Sequence, residues 1–187
     1  MIDAFSYLSV LLSIIVGLAI TQVLQGYRAL ILARDRVKLA AVPLIWSVLL
    51  LFFAVQGWWA SFGLRDQAEW SFAGFTVLLT QMILLYMMAA VVLPDVPDEI
   101  GIDLATHHDR HRRAFFGFLI ALLGVSIAKD VVLSGHLPSP GNLAFHGVLA
   151  STALAGILVG GARAQLLIAL FAAVGFTIYV AILFARI

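Results

Sequence analysis

The sequence predicts an all-α membrane protein, a polytopic bundle of six membrane-spanning helices. Three observations carry that prediction. Hydrophobic residues make up 63% of the 187 residues. Charged residues make up only 11%, and they gather in the gaps between six long apolar stretches. The stretches are also continuous, whereas strands of a membrane barrel would alternate apolar and polar residues over about ten positions. A helix rises 1.5 Å per residue and needs about 20 apolar residues to cross roughly 30 Å of hydrocarbon. The length suits one integral membrane domain covering residues 1–187, with no room for an added soluble domain.

The first helix is expected from about Phe5 to Ala33. Met1, Ile2 and Asp3 lack the basic region of a cleavable signal, and the apolar run behind them is too long for one. That run therefore reads as a retained first span. Helix 2 is expected from about Leu39 to Leu64 and helix 3 from about Trp70 to Leu93. Pro94 and Pro97 then stop helix 3, because neither can donate to the helical ladder. A polar connection covers about Asp95 to Arg113, acidic at Asp95, Asp98, Glu99 and Asp103 and basic afterwards. Helix 4 is expected over about Ala114 to Ser134. Gly135 and the turn Pro138-Ser139-Pro140-Gly141 separate it from helix 5, about Asn142 to Gly161. Helix 6 follows from about Ala164 to Ile187.

Lysine and arginine set the expected orientation. Arg28, Arg34, Arg36, Lys38, Arg110, Arg112, Arg113 and Arg163 sit at the odd-numbered connections, and only Arg65, Lys129 and Arg186 sit on the other side. The odd connections are thus expected in the cytoplasm and both termini outside. Trp58, Trp59 and Trp70 then form an aromatic belt at the outer interface. A net charge of +1 gives no field for nucleic acid, so no nucleic-acid partner is expected. The absence of cysteine removes disulfides, thiolate metal sites and cysteine nucleophiles.

Several polar features stand out against this apolar background. Along helix 1, Ser9, Ser13, Gly17, Thr21 and Gln25 recur every four residues and form one face, with Gln22 and Arg28 beside its cytoplasmic end. Hydroxyls and amides in hydrocarbon need partners, so this face is expected to point into the bundle, as packing glue or as one wall of a hydrated path. Seams of small residues support close packing, internally or with a second copy or a partner membrane helix. They are Gly117, Ala121, Gly124 and Ala128 on helix 4, Thr152, Gly156 and Gly160 on helix 5, and Ala169, Ala173, Thr177, Ala181 and Ala185 on helix 6.

Gln56, Thr80 and Gln81 are isolated polar residues at depth, where they could meet Asp130 or His146 in the outer half of the bundle. An ionisable residue in a span points by default to function, since burying its charge costs about 3 kcal/mol on insertion scales. For Lys129 and Asp130, interfacial anchoring stands beside a role in handling ions. Lys129 is able to snorkel to the interface, and adjacent helical residues need not pair. His136 lies on the same side of the membrane.

The cytoplasmic run from Asp103 to Arg113 holds Asp103, His107, His108 and His111. If helical, it stacks Asp103, His107 and His111 on one face, and two histidines four apart with a carboxylate one turn away can hold a transition metal. The simpler reading is a juxtamembrane segment whose Arg110, Arg112 and Arg113 meet anionic head groups at about 1 kcal/mol each. Thr106 or Asp103 would then cap the helix start.

The segments FSYLSVLLSIIVGLAITQ at the start, VVLPD after helix 3 and HRRAFFGF entering helix 4 resemble a group of small polytopic proteins known from bacterial genomes. The resemblance implies a bacterial inner-membrane location and carries over no site residue.

The sequence contains no Gly-rich phosphate loop, no GxSxG, no HExxH and no paired glutamates. No mid-span lysine suits a retinal Schiff base, and no TVGYG-like filter is present. No cofactor is called for. The leading expectation is a non-catalytic bundle in the lipid bilayer that conducts or binds a small solute or ion. Its expected polar lining is Ser13, Thr21, Gln22, Gln25, Gln56, Gln81 and Asp130. The alternatives are a metal-dependent membrane enzyme or sensor built on the histidine run, and a structural or accessory subunit.

Overall fold

A computed structural model describes residues 4–65, 67, 70–95 and 101–184. It is an all-α bundle of six helices, each long and apolar enough to span a membrane. They are α1 (Ala4–Leu32), α2 (Ala41–Ser61), α3 (Phe72–Val92), α4 (Leu104–Ser134), α5 (Pro140–Leu158) and α6 (Ala162–Phe184). Pro97, Asp98, Glu99, Ala185 and Arg186 of the sequence reading lie outside the described residues.

Local chemistry sets the helix ends. Ser71 starts α3 by accepting from the backbone N–H of Gly74, and Ser139 starts α5 by accepting from that of Asn142. Pro140 takes the first position of α5, where its missing N–H costs no helical bond. The turn signal around Pro140 therefore opens the helix, two residues earlier than the expected Asn142. Gly135 closes α4 with φ of 73°, a left-handed conformation that glycine adopts without strain.

The largest boundary correction is α4, which begins at Leu104 and not near Ala114. The last ten residues of the run expected as a connection, 104–113, form the first turns of the helix, nearly three of them. Asp103 explains the early start. Its carboxylate accepts from the backbone N–H groups of Ala105 at 2.8 Å and Thr106 at 3.3 Å.

Because successive helices reverse direction, residues 33–40, 93–95, 101–103 and 159–161 meet at one end, the basic end, which carries most of the arginines. There β1 (Val37–Lys38) pairs in parallel with β2 (Ile102–Asp103), matching Val37 with Ile102 and Lys38 with Asp103. Residues 62–65, 70–71 and 135–139 lie at the opposite, distal end.

Helix neighbours run α1, α3, α4, α5, α6, α2 and back to α1, with α2 also touching α3 and α4. The core centres on Trp46, which is fully buried and meets Phe115 and Phe116 edge-on at 5.2 and 5.3 Å between ring centroids. Leu50, Met88, Leu104 and Leu119 complete it. Gly156 lets α5 approach α4 so closely that the ring of Phe116 occupies the space a Cβ would need. The expected α5 seam is thus buried at Thr152 and Gly156. The α4 seam is not: Ala121, Gly124 and Ala128 are exposed on the outer surface of the chain.

Candidate functional site

A cavity of about 380 Å³ lies in the distal half of the bundle, between α2, α3, α4, α5 and α6. Its walls are largely apolar, with Leu78, Met82, Leu119, Leu123, Leu149 and Phe176 among them. Into this apolar shell each helix sends polar groups. Gln56 comes from α2 and Gln81 from α3, while Ser126 and, one turn on, Lys129 and Asp130 come from α4. Asn142 and His146, one turn apart, come from α5, and Tyr179 comes from α6. Gly63 and Ser134 line the cavity and are exposed, which marks its mouth at the distal end.

The polar groups divide into those that are satisfied and those that are not. Nδ1 of His146 lies 2.8 Å from the carbonyl oxygen of Asn142. A carbonyl only accepts, so Nδ1 carries the hydrogen, and neutral His146 keeps a lone pair on Nε2. The Tyr179 hydroxyl donates to Oδ1 of Asn142 at 3.4 Å, and its ring stacks on Phe145 at 4.0 Å. Oε1 of Gln81 is buried and has no partner. Nζ of Lys129 stands 3.6 Å from Oδ1 of Asp130, an ion pair too long to be a good hydrogen bond. Adjacent helical residues thus do converge here, because the long lysine side chain folds back toward its neighbour.

Below the cavity the bundle is packed shut by Leu119, Phe116 and Trp46, all buried. Below that, at the basic end, a second polar cluster is built the opposite way. Arg112 is turned inward, with its side chain 12% exposed. Its Nη1 donates to the carbonyls of Gly156 and Ile157 at 2.9 Å and of Val159 at 3.2 Å, and its Nε donates to Asp109 at 3.0 Å. These carbonyls are the unsatisfied acceptors at the end of α5, where the helix dipole also favours a cation. Nε2 of Gln165 donates to the carbonyls of Gly156 and Val159. Its Oε1 therefore accepts, and Nε2 of His108, 3.1 Å away, is the donor.

The structure sorts the expected site residues. Gln56, Gln81 and Asp130 meet in the cavity, joined by His146. Ser13, Thr21 and Gln25 do not: all three are exposed on the outer face of α1, and Gln22 is half-buried outside the cavity. The expected inward direction of that edge is corrected. The inner face of α1 is Leu12, Val16, Ala19, Val23 and Leu30, which pack in the core. Two of the hydroxyls on the polar edge find partners without entering it. Ser9 donates to its own helix at Ser6, and Ser13 accepts from Nε1 of Trp58 at 3.1 Å. Thr80 likewise bonds its own helix, at Thr76. His136 is exposed and bonds at Leu137, away from the cavity.

The histidine run is not gathered as a ligand set. His107 faces the carbonyl of Val91 at 3.0 Å, and its ring lies beside that of His111 at 4.5 Å. His108 serves Gln165 instead, and the carboxylate of Asp103 is engaged by the cap and by Lys38 at 3.0 Å. Among the described residues no three or more His, Cys, Asp or Glu stand together as a metal site. Of the three arginines expected at head groups, Arg110 and Arg113 are exposed, whereas Arg112 is committed to α5.

Four contributors escaped the sequence reading. Ser126, Asn142 and Tyr179 are single polar residues in the distal parts of their helices and carry no further signal in the sequence. Gln165 has one: it is the sole amide side chain of a largely apolar helix, in its first turn. Comparison with known protein families, curated proteins and solved structures finds no match to this chain.

Proposed function

We propose that this protein is a non-catalytic membrane bundle that binds a small solute in the distal cavity. The observation that carries the reading is Oε1 of Gln81, a buried acceptor without a partner at a cavity wall that also holds Gln56 and the Lys129–Asp130 pair. An orphaned acceptor costs about 1–3 kcal/mol, a cost that a bound donor removes. An apolar shell with a few convergent polar groups is the usual make-up of a small-ligand site, and about 380 Å³ falls in the usual range of roughly 300–1,000 Å³. The packed layer of Leu119, Phe116 and Trp46 favours binding over conduction through a single copy.

The test is thermal unfolding of purified protein in lipid nanodiscs against a set of cationic, anionic, zwitterionic and neutral small solutes. At least one should raise the wild-type Tm and leave that of Gln81→Leu unmoved. Without ligand, Gln81→Leu should be more stable than wild type by about 1 kcal/mol, since it removes the orphan. A set in which no solute distinguishes the two proteins would refute the reading.

We also place the protein in a bacterial inner membrane, with the basic end in the cytoplasm and the cavity mouth and both termini on the periplasmic side. The resemblance to small polytopic proteins of bacterial genomes supports the membrane, and the arginine distribution supports the orientation. The chain has no cysteine, so a single introduced thiol reports cleanly. Ser134→Cys should react with a membrane-impermeant maleimide in intact cells, and Thr106→Cys should react only after lysis. The reverse pattern would invert the topology.

A further inference from the structure

Building on the solute-binding reading, we propose that the cavity takes an amino-acid-like zwitterion with an apolar side chain. The ammonium group would sit at Asp130 and the carboxylate at Lys129. Three observations converge on that class.

The first is charge. Lys129 and Asp130 both line the cavity, are mostly shielded from solvent, and are only loosely joined at 3.6 Å. A simple cation placed on Asp130 would leave two positive charges against one negative charge in an apolar shell, and a simple anion on Lys129 would leave the converse. Unbalanced charge in a low-dielectric site is costly. A zwitterion inserted between the two side chains meets each with its opposite and keeps the total at zero.

The second is the count of hydrogen-bonding groups. An ammonium brings three N–H donors. Acceptors for them on the wall include the Asp130 carboxylate, the orphaned Oε1 of Gln81, and Nε2 of His146, with the amide of Gln56 on the same wall. In the neutral ring Nε2 of His146 is an acceptor, because Nδ1 spends its hydrogen on Asn142. For the carboxylate, Lys129 supplies N–H donors.

The third is the rest of the wall. Leu78, Met82, Leu119, Leu123 and Phe176 offer hydrocarbon and aromatic contact over a larger share of the wall than the remaining polar groups, Gln56 and Ser126 among them. Burial there is worth about 25 cal/mol per Å² of apolar ligand surface.

Three matched probes separate the charges on one skeleton: L-leucine, 3-methylbutylamine, which lacks its carboxylate, and 4-methylpentanoate, which lacks its ammonium. Binding is measured by calorimetry on the whole protein in nanodiscs. Leucine should bind at least tenfold more tightly than either truncated probe. Asp130→Asn should abolish the advantage of leucine over 4-methylpentanoate, and Lys129→Gln its advantage over 3-methylbutylamine. Equal binding of leucine and either truncated probe would overturn the zwitterion. So would failure of all three probes while another solute still gives a Gln81-dependent Tm shift, a result that leaves the solute-binding reading standing. Loss of every Gln81-dependent shift defeats both. Ligand-free melting curves of the two charge variants show whether each has folded. If one has not, the remaining variant and the three-probe ranking on wild-type protein still decide.

Discussion

The two ends of this bundle hold similar polar side chains in opposite states. At the basic end, Arg112, Gln165 and His108 form one network that satisfies the last carbonyls of α5. At the distal end, Gln81 keeps an unpaired acceptor, His146 keeps a free lone pair, and the ion pair is stretched to 3.6 Å. Between them lies a packed aromatic layer around Trp46, whose own indole N–H has no partner. In hydrocarbon an unmet polar group is costly, so the two states carry different meaning. A completed network stabilises the fold, whereas an incomplete one around open space is prepared for something to arrive.

Breaking the completed end should give the largest effect. Arg112→Leu removes the charged donor from three carbonyls; Gly156 and Val159 keep the amide of Gln165, while the part-buried carbonyl of Ile157 loses the guanidinium, at a cost of about 3 kcal/mol. Unfolding in mild detergent should show that loss, while ranking of solutes by the folded fraction should be unchanged. An unchanged Tm would mean that the network is not what holds α5 to α4, and the contrast between the ends would fail.

The next effect sharpens the same comparison by packing alone. Gly156→Ala places a methyl group where the ring of Phe116 sits, and relieving that clash should cost about 1–3 kcal/mol. Gly117→Ala is the paired control, one residue along from Phe116 and with nothing within 4 Å of its would-be Cβ. It should be neutral or slightly stabilising, since alanine favours a helix over glycine by about 1 kcal/mol. If both variants melt alike, the close approach of α5 to α4 is not set at Gly156.

How far the sequence disclosed this arrangement depends on what kind of partner each residue has. The six spans were legible because a membrane asks for long apolar runs and the chain has little else. Gln56, Gln81 and Asp130 were legible because isolated polar residues at one depth tend to meet. The direction of the α1 edge was not. In a helix apolar nearly all round, the inward face is chosen by packing shape, and the branched residues Leu12, Val16 and Val23 took it in place of Ser13, Thr21 and Gln25. The inward turn of Arg112 was hidden for another reason. Its partners are backbone carbonyls, which every residue carries, so nothing in the sequence marks them. The start of α4 was hidden by composition: a run of His, Asp and Arg reads as a loop until its side chains are seen bonded to α3, α5 and α6.

The smallest effect should come from Asp103, which ties the first and third connections together at the basic end. Its carboxyl is held below the ordinary value of 3.8, first by the hydrogen bond from Lys38 and then by the backbone N–H of Thr106. A depressed carboxyl contributes stability that is fully present above its unfolded value and is lost as pH falls through the folded one. Asp103→Asn keeps a side chain that caps well, so the cap survives and only the ion pair to Lys38 is removed. Because that pair is largely exposed, the loss should be small and should shrink further in high salt. The measurement is the Tm difference between wild type and Asp103→Asn from neutral pH downward. It should be constant until the pH approaches about 4 and should close below it. A difference that persists in strong acid would show that Asp103 acts through shape and not through charge, and would leave Arg112 as the one charged residue on which the basic end depends.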